Sequence, residues 1–593
     1  MKEIRSSNLT TGVVSIFFLL IFGYFRFFIP YHLINLEQNQ LFLFSKDYIL
    51  AFFDKPGAFA NIAGTFITQF FIDPWLAASI LTLLALGSFF LIRYILKVHR
   101  FKGILFQFLP IIFMVAVQSS FNYTINFQIG WILSLAFFAG YISIRQITLR
   151  VTYGIAVGIL SYYAIGGYFI IAILLASIHE LFYREEQKKL YFILAYLMLV
   201  ILIPLLSWKF IYYINIKDAW LFPVSIGTLS HVNFFLYLHL LFLPLTLIVV
   251  YFFLRRTSVK AIEFNWNLKY GLISLVILAL LGISVIKFAY DPKNEAFLEI
   301  DYHIQKSQWE KVLQLSEKYP GTNQVVMYYT NLALYKTGRF ANELFNYKQS
   351  GTSGLWLEWK RNETAPFYGG EVFYQLSYTS EAFRWAFEAM EAKGPSPRLL
   401  KRLALTSIAH YKYNLANKYL TILDQSLYYN NWAKHYKNCI DDTTLIQQDN
   451  ELLEKRYYVA KNDFISDISP NDIGFIKLLE NHPDNRMAFE YLMASYLLNK
   501  NLKGFAANIY RLKELGYSQI PKHFEEALLL YMGITRQNYV PEGYAISSDT
   551  QLRFRDYAET FAQYRNSPEL AAKWLFPQFG RTFWFYMQFS NSN

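Results

Sequence analysis

The chain has 593 residues, 54% hydrophobic and 19% aromatic, with one cysteine and a formal charge of +12, and it is too long for one ordinary soluble domain. The lone Cys439 excludes a disulfide framework and a cysteine-rich zinc site, and the high apolar content with only 17% charged residues excludes disorder and calls for a membrane-embedded portion. Residues 1–290 hold 21 Lys and Arg against 10 Asp and Glu, while the remainder holds 34 against 33. The basic excess therefore lies in short loops between apolar runs, with no basic patch interleaved with stacking aromatics, which argues against a nucleic-acid partner.

Crossing a bilayer takes about 20 apolar residues, and runs of that kind occur at Thr11–Pro30, Pro74–Leu96, Phe101–Ser119, Phe127–Ile144, Leu190–Ile211, Phe234–Leu254 and Tyr270–Tyr290. The stretch Val151–Phe182 is too long for one span. It is broken at Ser161-Tyr162-Tyr163 and at Gly166-Gly167, which predicts a hairpin of two short helices. The first run is followed by Tyr31-His32-Leu33 rather than a small-residue cleavage site and is read as an anchor. Lys and Arg are retained on the cytoplasmic side. Lys97, Arg100, Lys102, Arg145, Arg150, Arg184, Arg255 and Arg256 all fall there if the N-terminus is inside. That orientation requires an even number of crossings between Arg150 and Arg184, which the hairpin supplies. The expectation is nine crossings over residues 1–290, a first outer loop at 31–73, and residues 291–593 outside.

Beyond Tyr290 the texture changes to amphipathic stretches of about a dozen residues divided by short polar breaks, which is the pattern of helical hairpins. Trp309-Glu310-Lys311-Val312-Leu313 is followed 31 residues later by Phe340-Ala341-Asn342-Glu343-Leu344. The segments at Lys412-Tyr413-Asn414 and Lys500-Asn501-Leu502 occupy the same kind of turn, and Pro320 and Pro483 close helices. The fold class expected is all-α: a polytopic membrane helix bundle followed by an extracytoplasmic helical-repeat domain of tetratricopeptide-like type, a degenerate solenoid with a concave partner-binding face. The alternative is that these helices only pack onto the membrane portion.

A nucleophile elbow, a phosphate loop and a metalloprotease helix are missing, and the histidines do not fall in metal-ligand spacing; no metal or other cofactor is expected. The outward acids of the membrane half are Glu37, Asp47, Asp54, Asp73 and Asp218, four of them in loop 31–73. In that loop His32, Glu37, Gln38 and Gln40 are expensive to hold near lipid unless they line a cavity. A carboxylate in such a pocket can act as general base on a hydroxyl; the competing reading of Glu37 is a hydrogen-bonded core residue near the interface. Pro56–Phe71 predicts an amphipathic helix in the membrane interface. Further outward polar groups are Lys46, Lys55, Asn122, Tyr123, Tyr162, Tyr163, Lys217 and His231.

Two resemblances follow. Glu37–Phe44, Pro56-Gly57, Asn485-Arg486-Met487-Ala488-Phe489-Glu490 and His523-Phe524-Glu525-Glu526-Ala527-Leu528 resemble a family of bacterial polytopic membrane proteins of unknown function. This covers nearly the whole chain and implies a multi-pass inner-membrane protein. The order of features (one span, a long acidic outer loop, an interfacial helix, further spans, an outer helical domain) resembles the C-type glycosyltransferase superfamily. That resemblance implies a polyprenyl-phosphate-linked sugar as donor, an extracytoplasmic acceptor protein, and an acid of the first outer loop as base. Glu37 fits that place, with Asp47 and Asp54 as alternatives, although the family's paired-acid spacing is absent. The loop Asn122–Gln128 lacks the acid of the metal-dependent members, so a metal-independent mechanism is implied. The rival expectation is a non-enzymatic membrane scaffold.

Overall fold

The computed structural model describes residues 2–185, 189–224, 232–257, 261–262, 268–319, 323–358, 364–460 and 472–590. It is all-α, and the β features among the described residues are two isolated bridges. The chain divides into two compact units, the first comprising Met1–Glu295 with Gln425–Tyr428 and the second Ala296–Asp424 with Tyr429–Asn593.

The first unit contains α1 (Lys2–Phe27), α2 (Pro30–Gln38), α3 (Lys46–Ala51), α4 (Ala58–Thr68), α5 (Pro74–Val98), α6 (Ile104–Gln118), α7 (Asn126–Ser143), α8 (Ile147–Ile165), α9 (Phe169–Tyr183), α10 (Lys189–Phe210), α11 (Ile216–Leu221), α12 (Asn233–Thr257) and α13 (Leu268–Ala289). Local chemistry sets the ends of α5. Asp73 accepts hydrogen bonds from the amides of Trp75 and Leu76, and Pro74 takes the first helical position, where it has no amide to lose. α5 packs on α1 and α7, and α6 on α12 and α13. Aromatic rings fill the seams, with Phe89 and Phe108 stacked at 5.0 Å.

α8 and α9 fold back on each other. Arg150 and Glu180, at the ends of the two helices away from the turn and 30 positions apart, form an ion pair at 2.7 Å, whereas a continuous helix would separate them by about 45 Å. The break is Gly166, at φ +60°. A Cβ there would overlap the Phe222 carbonyl oxygen and lie 2.7 Å from Pro223 Cδ. Gly166→Ala is therefore expected to lower the melting temperature of the purified protein by several degrees, through both the left-handed backbone and the clash. Gly87→Ala, inside α5 where an added methyl meets nothing within 4 Å, should not lower it in the same thermal scan, since alanine favours a helix interior over glycine.

The nine expected crossings reduce to a coarser count. Among the described residues four helical segments are long and apolar enough to cross a membrane: Pro74–Val98, Ile147–Tyr183, Leu190–Phe210 and Asn233–Thr257. The number rises to six if Thr11–Phe27 with Pro30–Gln38 and Ile273–Ala289 with Pro292–Gln305 are each one span, bent by 64° and 63°. The expected run Phe101–Ser119 yields only a short helix. Phe101 bridges to Ile262, Lys102 donates its amide to the Ile262 carbonyl, and Ile262 donates to Arg100, so the chain leaves the helix through a left-handed turn at Arg100, pairs at 101–102, and α6 starts only at Ile104.

The second unit continues with α14 (Pro292–Gln305, entered at Ala296), α15 (Trp309–Lys318), α16 (Gln324–Lys336), α17 (Phe340–Glu343), α18 (Thr364–Gln375), α19 (Thr379–Lys393), α20 (Pro397–Ala409), α21 (Tyr413–Asp424), α22 (Asn430–Asp441), α23 (Asn450–Tyr457), α24 (Asp472–Asn481), α25 (Arg486–Leu498) and α26 (Leu502–Asn508), and then shorter helices to Phe589. One turn recurs five times among the described residues. Ser307, Gly338, Ser377, Tyr411 and Lys500 each have φ between 53° and 71° at the centre of a three-residue connection. Each turn closes with the same bond from the residue before the next helix, such as Gln308 N–H to His303 O, Arg339 to Leu334 and Asn501 to Tyr496. Trp309 and Phe340 open the helices that follow two of these turns. Pro320 lies outside the described residues.

Candidate functional site

α2 carries the polar residues of the first outer loop and is held at its start from far along the chain. Ile29 at the N-cap has no side-chain acceptor and Pro30 follows it. The Glu295 carboxylate supplies the cap, accepting from the amides of Tyr31 at 2.8 Å and His32 at 3.3 Å. The helix then buries His32, Asn35 and Glu37, and packs on α5 and on the 3₁₀ turn Gln69–Ile72.

Glu37 is 2% exposed and its Oε2 accepts from Gln38 Nε2 at 2.5 Å. His32 spends one ring nitrogen on the Gln118 main chain, so its Nε2 is left as an acceptor with no partner. Gln118 donates to Gln128 Oε1 at 2.6 Å and to the Tyr123 hydroxyl at 3.4 Å. Four buried polar atoms around α2 have no hydrogen-bond partner: His32 Nε2, Asn35 Nδ2, Gln69 Nε2 and Gln118 Oε1. One turn along α7 from Gln128, Trp131 Nε1 and His239 Nε2 are unpartnered too, with the two rings 4.5 Å apart. Buried polar groups are normally satisfied, so these open donors and acceptors on several elements mark a buried polar cluster that its own side chains do not complete.

A groove of about 800 Å³ runs between α1, α6 and α13, lined by apolar residues such as Phe17, Leu20, Val115 and Ile283. Tyr24 and Tyr290 stand at its end. Tyr24 hydrogen-bonds Ser119 at 2.7 Å, next to Gln118, so the apolar groove and the buried polar cluster adjoin. Along α1 the groove extends from Val13 to Phe28, about 22 Å at the helical rise.

The structure brings His32, Glu37, Gln38 and Tyr123 to this region, with Gln40 half-buried just past α2. A second set meets elsewhere in the unit, at the hairpin tip. Gly57 donates its amide to the Tyr163 carbonyl, Tyr162 donates its hydroxyl to the Ala219 carbonyl, and Tyr163 bonds Ser207 at 3.1 Å. Lys55 lies 5.4 Å from the Phe222 ring centroid. Lys46, Asp47, Asp54, Asn122 and Lys217 are exposed, so of the three candidate carboxylates Glu37 alone is enclosed. His231 lies outside the described residues. The expected interfacial helix is α4, tied to α7 by Asn126 Nδ2 donating to Asn61 Oδ1 at 2.6 Å. Sequence reasoning missed Asn35, Gln69, Gln118, Gln128 and Glu295. An uncapped Pro30 after Ile29 was the one local sign that α2 needed a remote acceptor.

A second buried polar cluster was also not foreseen. Arg150 and Glu180 are fully buried, and Tyr141 donates to Glu180 at 2.7 Å. Beside them the His99 Nδ1–H donates to the Ile95 carbonyl, which leaves His99 Nε2 to accept from His179 Nδ1 at 3.0 Å. His179 Nε2 then accepts from Arg184 Nε at 3.2 Å. Every ring nitrogen in that chain is used, as in a structural network rather than an open site. Among the described residues no group of three or more His, Cys, Asp or Glu is placed to hold a metal.

These features define an all-α protein with several helices able to span a membrane and an enclosed carboxylate in a buried polar cluster beside an apolar groove. The chain belongs to the Family of unknown function (DUF6057), whose model matches residues 6–590. No curated protein matches it, and no solved structure does.

Proposed function

We propose that this is a bacterial inner-membrane glycosyl- or oligosaccharyl-transferase that moves sugar from a polyprenyl-phosphate-linked donor to an extracytoplasmic acceptor, a protein Ser or Thr hydroxyl. The observation that carries the reading is the adjacency of the apolar groove to the buried polar cluster of Glu37 and the unpartnered atoms around α2. An isoprenoid tail suits the one and a hydroxyl-rich sugar the other. In this scheme Glu37 takes the proton from the acceptor hydroxyl as its oxygen attacks the anomeric carbon, and the bond from that carbon to the phosphate breaks with the electron pair leaving on phosphate. Lys46, Lys55 and Lys217 supply positive charge on the same outer side. The topology proposed is nine crossings with the N-terminus cytoplasmic and the second unit periplasmic, as a tetratricopeptide-like solenoid.

A scaffold that recruits envelope proteins is the second reading, favoured by the five matching turns of the second unit. Two measurements test the proposal. An alkaline phosphatase fusion after Lys293 should be active, and an inactive fusion would overturn the orientation and the outward site with it. A glycan-stained envelope proteome of a deletion strain should lose bands that the wild-type gene restores. An unchanged pattern would leave the scaffold standing.

A further inference from the structure

We infer that the second unit carries a separate binding site for a saccharide bearing a carboxylate, in a cleft of about 580 Å³ between α15, α16 and the segment after α17. This does not rest on the transferase reading. Arg339, in the second of the recurring turns, is fixed by Glu343, with Nε to Oε1 at 3.0 Å and Nη2 to Oε2 at 2.7 Å. That paired hydrogen bond is the main reason the Glu343 carboxyl is held below the usual carboxylate range. Across the cleft Tyr347 donates its hydroxyl to Glu317 Oε1 at 2.9 Å. The walls thus combine fixed donors, fixed acceptors and, with Asn346, a group that is both.

A sugar hydroxyl is donor and acceptor at once, so it needs a wall of this mixed kind, and the Tyr347 ring offers a flat surface for the sugar's C–H face. A carboxylate on the ligand finds its partners in Lys348 and Arg581. Both line the cleft, both are exposed, and neither pairs with a described carboxylate. An acidic peptide would use the same two cations, but the cleft offers side chains and no unpaired sheet edge for a peptide backbone. Its size matches a short oligosaccharide within the usual range of ligand pockets, about 300–1,000 Å³.

The test is equilibrium binding to the full-length protein in phosphatidylcholine nanodiscs, using fluorescently labelled tetragalacturonate, neutral galactotetraose and tetraglutamate. Saturable binding is expected for tetragalacturonate, weakened roughly tenfold or more by the Lys348→Ala/Arg581→Ala pair and also by Tyr347→Phe, which keeps the ring and removes the bridge to Glu317. Lys348→Gln/Arg581→Gln should repeat the loss, which separates it from any disturbance of folding. Tetraglutamate binding as tightly as tetragalacturonate would make this an acidic-peptide site and overturn the proposal. Undetectable binding at millimolar ligand, or equal binding by wild type and the double variants, would also overturn it.

Discussion

Glu180→Ala is expected to destabilise the first unit by about 3–5 kcal/mol, the usual result of removing one partner of a buried ion pair. Arg150 and Glu180 have no exposed surface. The pair is two-pronged, with a second contact from Arg150 Nη2 to Glu180 Oε2 at 3.3 Å, and Arg150 Nη1 also reaches the carbonyls of Ile144 and Arg145. Without the carboxylate the guanidinium stays buried with only neutral dipoles, and the Tyr141 hydroxyl, itself 3.0 Å from that of Tyr196, loses its charged acceptor. The hairpin α8–α9 should then open at this end. Thermal unfolding in detergent and protease cleavage near Arg184 both read that opening. The double change Arg150→Met/Glu180→Met should recover most of the loss, since apolar replacements remove the desolvation cost along with the attraction. Wild-type stability for Glu180→Ala would show that the pair contributes nothing to holding the hairpin.

The same pair shows what could be read from the chain. The sequence predicts breaks at Ser161-Tyr162-Tyr163 and at Gly166-Gly167; α8 runs unbroken through the first to Ile165, and the turn falls at the second, where glycine can take the positive φ. The partnership of Arg150 with Glu180 was open to the same reasoning, because a hairpin about Gly166 brings the two ends of the run together. The shortening of α6 was not open to it, since it depends on Ile262, more than 150 residues later, pairing with residues 100–102. The turns of the second unit were half legible. Trp309 and Phe340 marked the helices that follow, but Ser377, Tyr411 and Lys500 adopt the left-handed conformation without a glycine to announce it. In the polar cluster around α2, Glu37, His32 and Gln38 were visible as polar groups too costly to place near lipid. Gln69, Gln118 and Gln128 come from three other elements and gave no sign of convergence.

Glu37→Gln is expected to lower glycan transfer by roughly 10²–10⁴-fold, the usual worth of a positioned general base. The amide keeps nearly the same volume, and its oxygen can still accept from Gln38 Nε2, so α2 should keep its place under the Glu295 cap. What the variant loses is the ability to take a proton. Membrane insertion and expression should match wild type, and the melting temperature should not fall, because a neutral amide is cheaper to bury than a carboxylate. Asp47→Asn and Asp54→Asn, at exposed positions, should be silent in the same glycan-stained proteome. Full activity in Glu37→Gln with loss in either aspartate variant would move the base along the loop. If all three variants, expressed at wild-type levels, leave glycosylation unchanged while removal of residues 296–593 abolishes the phenotype, the transferase falls and the scaffold is the function that remains.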